Sequence, residues 1–504
     1  MVKKIILTAI LFLILGAMRV APVVYKGYAP SGLYDNLVLS RNLALTSEYS
    51  LENKYNAILS SSKIKKEGVQ STLGNKLSVY LEAAVFKVFG FKSNLPFYVS
   101  VFLFAISNAF LFLIVYRIFG NYWLATSVAV FDSFMPFIWK GSLMAGSYEF
   151  AVLFFFAGLI FYFWKENISW YYLFLSGLLF GLAAVCRNAF LLSVIPLIGY
   201  EFYKNRSWQR MALLAAPFVI VFGIVGVFNN SYLGSTDESF TIYGHLFPDP
   251  YTFHFEKQSY IDSVHASGDP DFIEFMVKYG QPVSFLSRIK VYTWSAFFYA
   301  KESFSLINFG GPLFIFLFLF GGSFLYKEKK ELFYLFSTWL VFWYLALVFL
   351  KTNNWNHFLE IRLILVTFIA FGTWKIGQII KNVFDSNWAK NIATIGLIVF
   401  LSAQLFVSNK WLFHQDYEIS FYPKAVDVAE QVKKLGVSDS DIIAVDYNQN
   451  APLMLNYLTN KSFIYFSPET LKKLEKEAKL KEVFKTMGVT KAFVGNKFFD
   501  YGRN

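Results

Sequence analysis

Cysteine is almost missing from this chain. The single residue, Cys186, lies inside a hydrophobic run, so no intrachain disulfide can form. Histidine is scarce as well, with five residues, and no two of them show the spacing of a metal site. No internal repeat is visible, which counts against the inverted-repeat architecture of many transporters. Charge is thin: Asp, Glu, Lys and Arg make up 16% of 504 residues, against roughly 25% in soluble domains. What fills the space is apolar. Hydrophobic residues reach 56% and aromatic residues 20%, more than one soluble core can absorb. A bilayer takes up such a surplus, because each helical span needs roughly 20 apolar residues.

The net charge of +12 would suggest nucleic acid in a soluble protein. Here the aromatics that a single-stranded nucleic acid would stack on lie within hydrophobic runs, which excludes that partner. Apolar runs place spans near 5–24, 96–116, 122–139, 148–164, 170–186, 188–203, 211–232, 306–326, 332–350, 361–380 and 391–408. The amino terminus, Lys3-Lys4 followed by Ile5 to Leu15, mimics a signal peptide. It has no small-x-small cleavage site and stays apolar to Val24, so it reads as an uncleaved first span. The fold class expected is an all-α polytopic membrane bundle of about eleven transmembrane helices, with extracytoplasmic loop helices and a small C-terminal α/β domain.

Lys3, Lys4, Arg117, Lys165, Lys204, Arg206, Arg210, Lys327, Lys329, Lys330, Lys381 and Lys390 fall in alternate short loops. The positive-inside rule puts those loops and the N-terminus in the cytoplasm. The long segments 25–95, 233–305 and 409–504 then share the outer side, as do all five histidines. The expected division is a membrane domain over 1–408 and an extracytoplasmic α/β domain over 409–504. In the latter, Pro423 starts a helix ended by Gly436, and 468–485 is a Lys/Glu-rich helix. Ile442–Val445, Phe463–Phe466 and Lys491–Val494 read as strands. Asp446 stands at a strand end, but no glycine-rich phosphate loop follows it.

In the first outer loop, Asp35 follows Tyr34 just ahead of a helical stretch in which Leu37, Val38, Ala44 and Leu45 recur. On spacing alone Asp35 is a helix cap. A second helix, 77–89, carries an apolar stripe of Leu77, Tyr80, Leu81, Ala84, Val85, Val88 and Phe89, and Gly90 stops it. It is too short to span a bilayer and suits the membrane surface.

An acid in the first outer loop soon after span one, followed by surface helices, resembles the C superfamily of membrane glycosyltransferases. The nearer likeness is to the protein O-mannosyltransferase and lipid A aminoarabinose transferase branch. Gly146-Ser147-Tyr148-Glu149 opens a span with an acid, and Gly177-Leu-Leu-Phe-Gly181-Leu-Ala-Ala-Val-Cys-Arg187-Asn188 matches a glycine-rich span closed by arginine. His357 to Arg362 leads into a late span in the same manner. Two departures stand out: Asn36 replaces a second acid after Asp35, and Leu73-Gly74-Asn75-Lys76 replaces a proline pair. The resemblance implies an inverting enzyme that moves a sugar from a polyprenyl-phosphate donor to a lipid, glycan or protein acceptor on the outer face.

Such chemistry needs a base for the acceptor and positive charge for the leaving phosphate. With the resemblance added, Asp35 is the expected general base. Glu149 orients the acceptor or holds a cation, or is a solvated span end. Lys76, Arg187, Lys301 and Arg362 are candidates for the donor phosphate. Arg187 at the junction of two spans also suits snorkelling to the interface. Asp132, an ionisable residue within a span, lines a cavity or bonds a neighbouring helix. His245, His357 and Tyr34 are candidates for contacts with acceptor or sugar. The cofactor is unknown. A divalent cation such as Mg or Mn, held by Asp35, Glu149 and phosphate, is compatible, although no dedicated metal motif exists. Two other classes stay open: an envelope polysaccharide polymerase or ligase, and a lipid-linked sugar flippase or transporter.

Overall fold

The computed structural model describes residues 2–26, 31–32, 34–47, 76–146, 148–164, 169–232, 293, 296–349, 355–383, 387–410, 422–438, 441–446, 451–466, 468–476, 478–486, 488–495 and 497–501. Residues 48–75 and 233–292 lie outside the described residues, and His245 with them.

Each apolar run of the sequence is helical. The helices are α1 (Val2–Ala17), α2 (Ala21–Lys26), α3 (Tyr34–Thr46), α4 (Lys76–Phe89), α5 (Leu95–Phe119), α6 (Tyr122–Phe134) and α7 (Pro136–Ser142). They continue with α8 (Glu149–Tyr162), α9 (Trp170–Cys186), α10 (Leu191–Asn205), α11 (Trp208–Tyr232), α12 (Leu306–Phe309), α13 (Pro312–Glu328), α14 (Lys330–Phe349), α15 (Arg362–Val383) and α16 (Asn387–Ser408). Among the described residues, four stretches are long and apolar enough to cross a membrane unaided: Thr8–Tyr25, Leu95–Phe119, Lys330–Phe349 and Asn356–Ile380. Shorter apolar helices stand at Glu149–Tyr162, Trp170–Cys186, Trp208–Ile224 and Ile395–Ser408. Backbone breaks explain part of the difference from the eleven spans expected. Proline lacks an N–H and disfavours helix at the residue before it; Met135 turns extended (ψ 124°) and Pro136 starts a new helix, splitting the run 122–139. Arg187 is extended (φ −154°) between α9 and α10, as its position after the glycine-rich span suggests.

Glycine sets the closest helix approaches. A Cβ added at Gly321 of α13 would fall on the Phe368 carbonyl and 2.7 Å from the Gly372 nitrogen of α15. Small residues let backbones meet this way in membrane bundles. Gly177 and Gly181 do the same for α9 against α11, which accounts for the glycine-rich span. Gly321→Ala therefore forces two helices apart. The expected cost is about 1–3 kcal/mol, read as a lowered thermal midpoint in detergent. Gly396→Ala, which meets nothing within 4 Å, should leave the midpoint unchanged or raised.

Residues 422–501 build a small α/β layer: α17 (Tyr422–Lys434), β3 (Ile442–Val445), α18 (Ala451–Thr459), β4 (Ser462–Tyr465), α19 (Pro468–Lys476), α20 (Leu480–Thr486), β5 (Val489–Val494) and β6 (Lys497–Asp500). The strand order is β4-β3-β5-β6, with the first two pairings parallel and the last antiparallel. The expected helix 468–485 is two pieces, with Ala478 between them at φ 56°. β6 and α18 were not expected from the sequence.

This layer grips α3. Arg41, 2% exposed, donates to the Asn456 carbonyl at 2.6 Å, the Tyr457 carbonyl at 3.3 Å and the Asn456 side chain at 3.0 Å. Tyr457 in turn donates to the Ser93 carbonyl at 3.0 Å. As a result Asn36 through Asn42 are all buried, and the helix that carries Asp35 is enclosed rather than draped on the surface.

Candidate active site

The helix α3 begins at Tyr34, so Asp35 stands in its first turn instead of just before it. Only the backbones of Tyr34 and Asp35 are described; their side chains lie outside the described atoms, as does that of Lys76 at the start of α4. What leads into α3 is a two-residue strand, β1 (Ser31–Gly32), paired in parallel with β2 (Met144–Ala145) in the loop before α8. Gly32 lies opposite Ala145. The Asn36 side-chain amide donates to the Gly146 carbonyl. Gly146 sits at φ 93°, a conformation that a side chain resists. Its N–H donates to Glu149 Oε1 at 3.0 Å. The strand pair and these bonds tie the backbone carrying Asp35 to the loop carrying Glu149.

Glu149 is fully buried at the first turn of α8. Facing it from α4 is Glu82, also fully buried. No donor among the described residues hydrogen-bonds either Glu82 oxygen. Burial first, and the neighbouring Glu149 carboxylate second, push the Glu82 carboxyl well above the ordinary glutamate range. The Glu82 carboxyl therefore favours its protonated form. Ser78, one turn earlier on α4, donates to the Cys186 carbonyl at 3.2 Å, tying α4 to the end of α9.

Arg187 follows directly. It is half-buried and its guanidinium lies 4.6 Å from the centre of the Tyr148 ring. His357 lies in the turn Trp355–Ile361 and its Nδ1 is 2.7 Å from Glu360 Oε1. The Glu360 carboxylate also accepts from Trp343 Nε1 at 3.2 Å, and its carbonyl accepts from Ser193 at 2.9 Å. Glu149, Tyr148, Arg187 and the His357–Glu360 pair thus stand at one end of the bundle with the start of α3.

Neither a family model nor a curated protein matches the chain. Solved structures do. ArnT from Cupriavidus metallidurans in the apo state superposes with TM-score 0.56 at 9% identity, over 95% of this chain and 88% of that one. The same enzyme bound to undecaprenyl phosphate gives 0.54 at 9% identity, over 95% and 89%. The Archaeoglobus fulgidus oligosaccharyltransferase in the apo form gives 0.53 at 10% identity, over 97% and 69%. The chain shares the fold of these structures.

Within this shared fold the remaining sequence candidates separate. Asp132 and Arg362 are fully buried and bound to each other: the guanidinium Nε and Nη2 both donate to the Asp132 carboxylate. Arg19 joins them, donating to Asp132 Oδ2 at 2.9 Å and to its carbonyl at 2.8 Å. Arg362 also lies 5.1 Å and 5.6 Å from the Phe156 and Phe104 ring centres. This is a helix-to-helix knot linking the first span, α6 and α15. Lys301 is exposed, and no hydrogen bond or ion pair joins its side chain to the others among the described residues. Among those residues no group of three His, Cys, Asp or Glu is placed to hold a metal.

Glu82, Glu360 and Arg19 were missed from sequence. Glu82 was hidden by the choice of face on α4. The structure buries Ser78, Val79, Glu82, Ala83 and Phe86 against the protein and exposes Tyr80, Val88 and Phe89. Of the apolar stripe, Tyr80, Ala84, Val88 and Phe89 face outward, as on a helix that rests on lipid, while Leu77, Leu81 and Val85 pack against the protein. A glutamate amid otherwise small or apolar residues on the opposite face was the available signal.

Glu82 makes a prediction with a definite sign. Between the ordinary glutamate value of about 4.3 and its raised folded value, the folded chain holds a proton that the unfolded chain has released. Stability therefore falls as pH climbs through that window. Glu82→Gln, which mimics the protonated form, should flatten this slope. Its thermal midpoint relative to wild type should rise steadily from acid to neutral pH, measured with chelator present. Parallel curves for the two proteins would disprove the assignment.

Proposed function

We propose that this chain is a multi-pass membrane enzyme that transfers a sugar from a polyprenyl-phosphate donor to an acceptor on the outer face, with inversion at the anomeric carbon. The supporting observation is the β1–β2 pairing, which brings the first turn of α3 beside the loop of Glu149. The compared structures point to the same donor class: the Cupriavidus enzyme was solved with undecaprenyl phosphate, and the Archaeoglobus enzyme with dolichol-phosphate and an inhibitory peptide. About eleven crossings, an inner N-terminus and an outer C-terminal domain complete this reading.

In the proposed step Asp35 takes the proton of the acceptor as the acceptor atom bonds to the anomeric carbon. The bond from that carbon to the phosphate oxygen breaks, and its electron pair leaves with the polyprenyl phosphate. Glu149 and Glu82 keep the acceptor side polar and oriented. Arg187 and Lys76 are the proposed phosphate contacts, since both lie at the site end of their helices. Arg362 is committed to Asp132 and acts in packing. A divalent cation fits the acidic character of the site, and the Archaeoglobus enzyme has been solved with zinc and sulfate. Asp35 and Glu149 would hold it here, and when bound it would neutralise charge on the leaving phosphate. The C-terminal layer, through Arg41, fixes α3 in place.

The direct test uses the purified chain in proteoliposomes. Transfer is expected from a polyprenyl-phosphate sugar and not from the corresponding nucleotide sugar. Equal use of the nucleotide sugar would remove the donor assignment.

A further inference from the structure

At the end of the bundle opposite Glu149 lies a second, polar cavity of about 650 Å³. Glu149 begins α8 and Tyr162, at the cavity wall, ends it; fourteen helical residues separate the two sites by about 20 Å. Five cations line the cavity: Arg117, Lys204, Arg210, Lys329 and Lys330. Its three acids are already engaged. Glu201, almost fully buried, accepts from Arg210 at 2.7 Å, Asn205 at 2.7 Å and Tyr162 at 3.2 Å. Glu331 pairs with Lys204 at 3.7 Å, and Glu328 with Lys375. Arg117, Lys329 and Lys330 are left without an acidic partner among the described residues; Lys330 rests near the Tyr326 and Tyr334 rings at 5.6 and 5.8 Å.

Helix dipoles account for part of this set: Arg117 and Lys204 lie in the last turns of α5 and α10, and Lys329 caps the C-terminus of α13. Such dipoles favour cations at helix C-termini, yet Lys330 opens α14 and Arg210 lies in the first turn of α11. The level of the cavity identifies the ligand. α5 and α14 are both long enough to span, and the cavity lies at the C-terminal end of the first and the N-terminal end of the second. Tyr203, Trp208, Tyr326 and Tyr334, all exposed, ring the same end, as aromatic residues do at headgroup depth. We propose that this cavity binds a phosphate group carried by an anionic lipid of the inner leaflet, with Arg117 and Lys329 as its principal contacts. The proposal takes the inner side from the topology proposed above, but it is independent of sugar transfer and survives its failure.

The test is native mass spectrometry of the full chain with added phosphatidylglycerol or phosphatidylcholine, repeated with inorganic phosphate in excess. The wild type should retain phosphatidylglycerol preferentially. The variant Arg117→Gln/Lys329→Gln should retain it on the order of tenfold less well, since each basic residue contributes to anionic-lipid attraction. Lys433→Gln/Lys434→Gln, an equal loss of charge on α17, should behave as wild type, and an unchanged thermal midpoint of the first double variant verifies its folding. Equal retention of the two lipids, or an undiminished preference in the Arg117/Lys329 variant, overturns the proposal. Displacement by inorganic phosphate overturns the lipid assignment and leaves a site for free phosphate.

Discussion

Asp35→Asn is expected to lower sugar transfer by about 10²–10⁴-fold, the range that a positioned general base contributes. Asparagine matches aspartate in size and keeps the first turn of α3 able to form, so the loss should appear in the chemical step. Binding of the polyprenyl-phosphate donor, measured with chelator present so that a cation held by Asp35 does not contribute, should change little, because the base acts on the acceptor. Asp35→Glu keeps the carboxyl group but moves it outward, and should recover part of the rate. Glu149→Gln should show a smaller loss. Its carboxylate takes the Gly146 N–H at 3.0 Å, so its removal loosens the loop paired to the start of α3 as well as altering charge. Single-turnover rates and donor-binding curves for the three variants separate these effects. A fully active Asp35→Asn enzyme would remove the base assignment while leaving the fold intact.

Removing the carboxylate of Asp132 should have the largest effect on stability. Two guanidinium groups, from Arg19 and Arg362, close on that one carboxylate with all three side chains fully buried. Breaking a buried pair from one side leaves a charge with no partner and costs roughly 3–5 kcal/mol. Here Asp132→Ala strands two charges in the membrane domain, so folded yield in detergent should collapse. Arg19→Met leaves the two-point Arg362–Asp132 pair in place and should be milder. If both variants unfold at the wild-type temperature, the knot contributes nothing and Asp132 and Arg362 return to consideration as site residues.

The helices were legible because a bilayer imposes long apolar runs, and each of those runs is helical. The loop helices at α3 and α4 were legible too, from periodicity and from Gly90. The facing of α4 was not. Periodicity finds an apolar stripe without saying whether protein or lipid covers it, and here the protein takes the face of Glu82. Arg19 escaped because one basic residue near a span end reads as an interfacial anchor; its partner, Asp132, lies 113 residues away. The pairing of Ser31–Gly32 with Met144–Ala145 carries no periodic signal at two residues a side. The resemblance named Asp35 and Glu149 separately, and the backbone brings their segments together.

Asp35→Cys, treated with a membrane-impermeant maleimide in intact cells, tests the central claim most directly. The sole native thiol, Cys186, is buried and should stay silent. The account predicts labelling from outside that polyprenyl phosphate suppresses. Labelling only after the membrane is opened, or labelling that polyprenyl phosphate leaves unchanged, would contradict it.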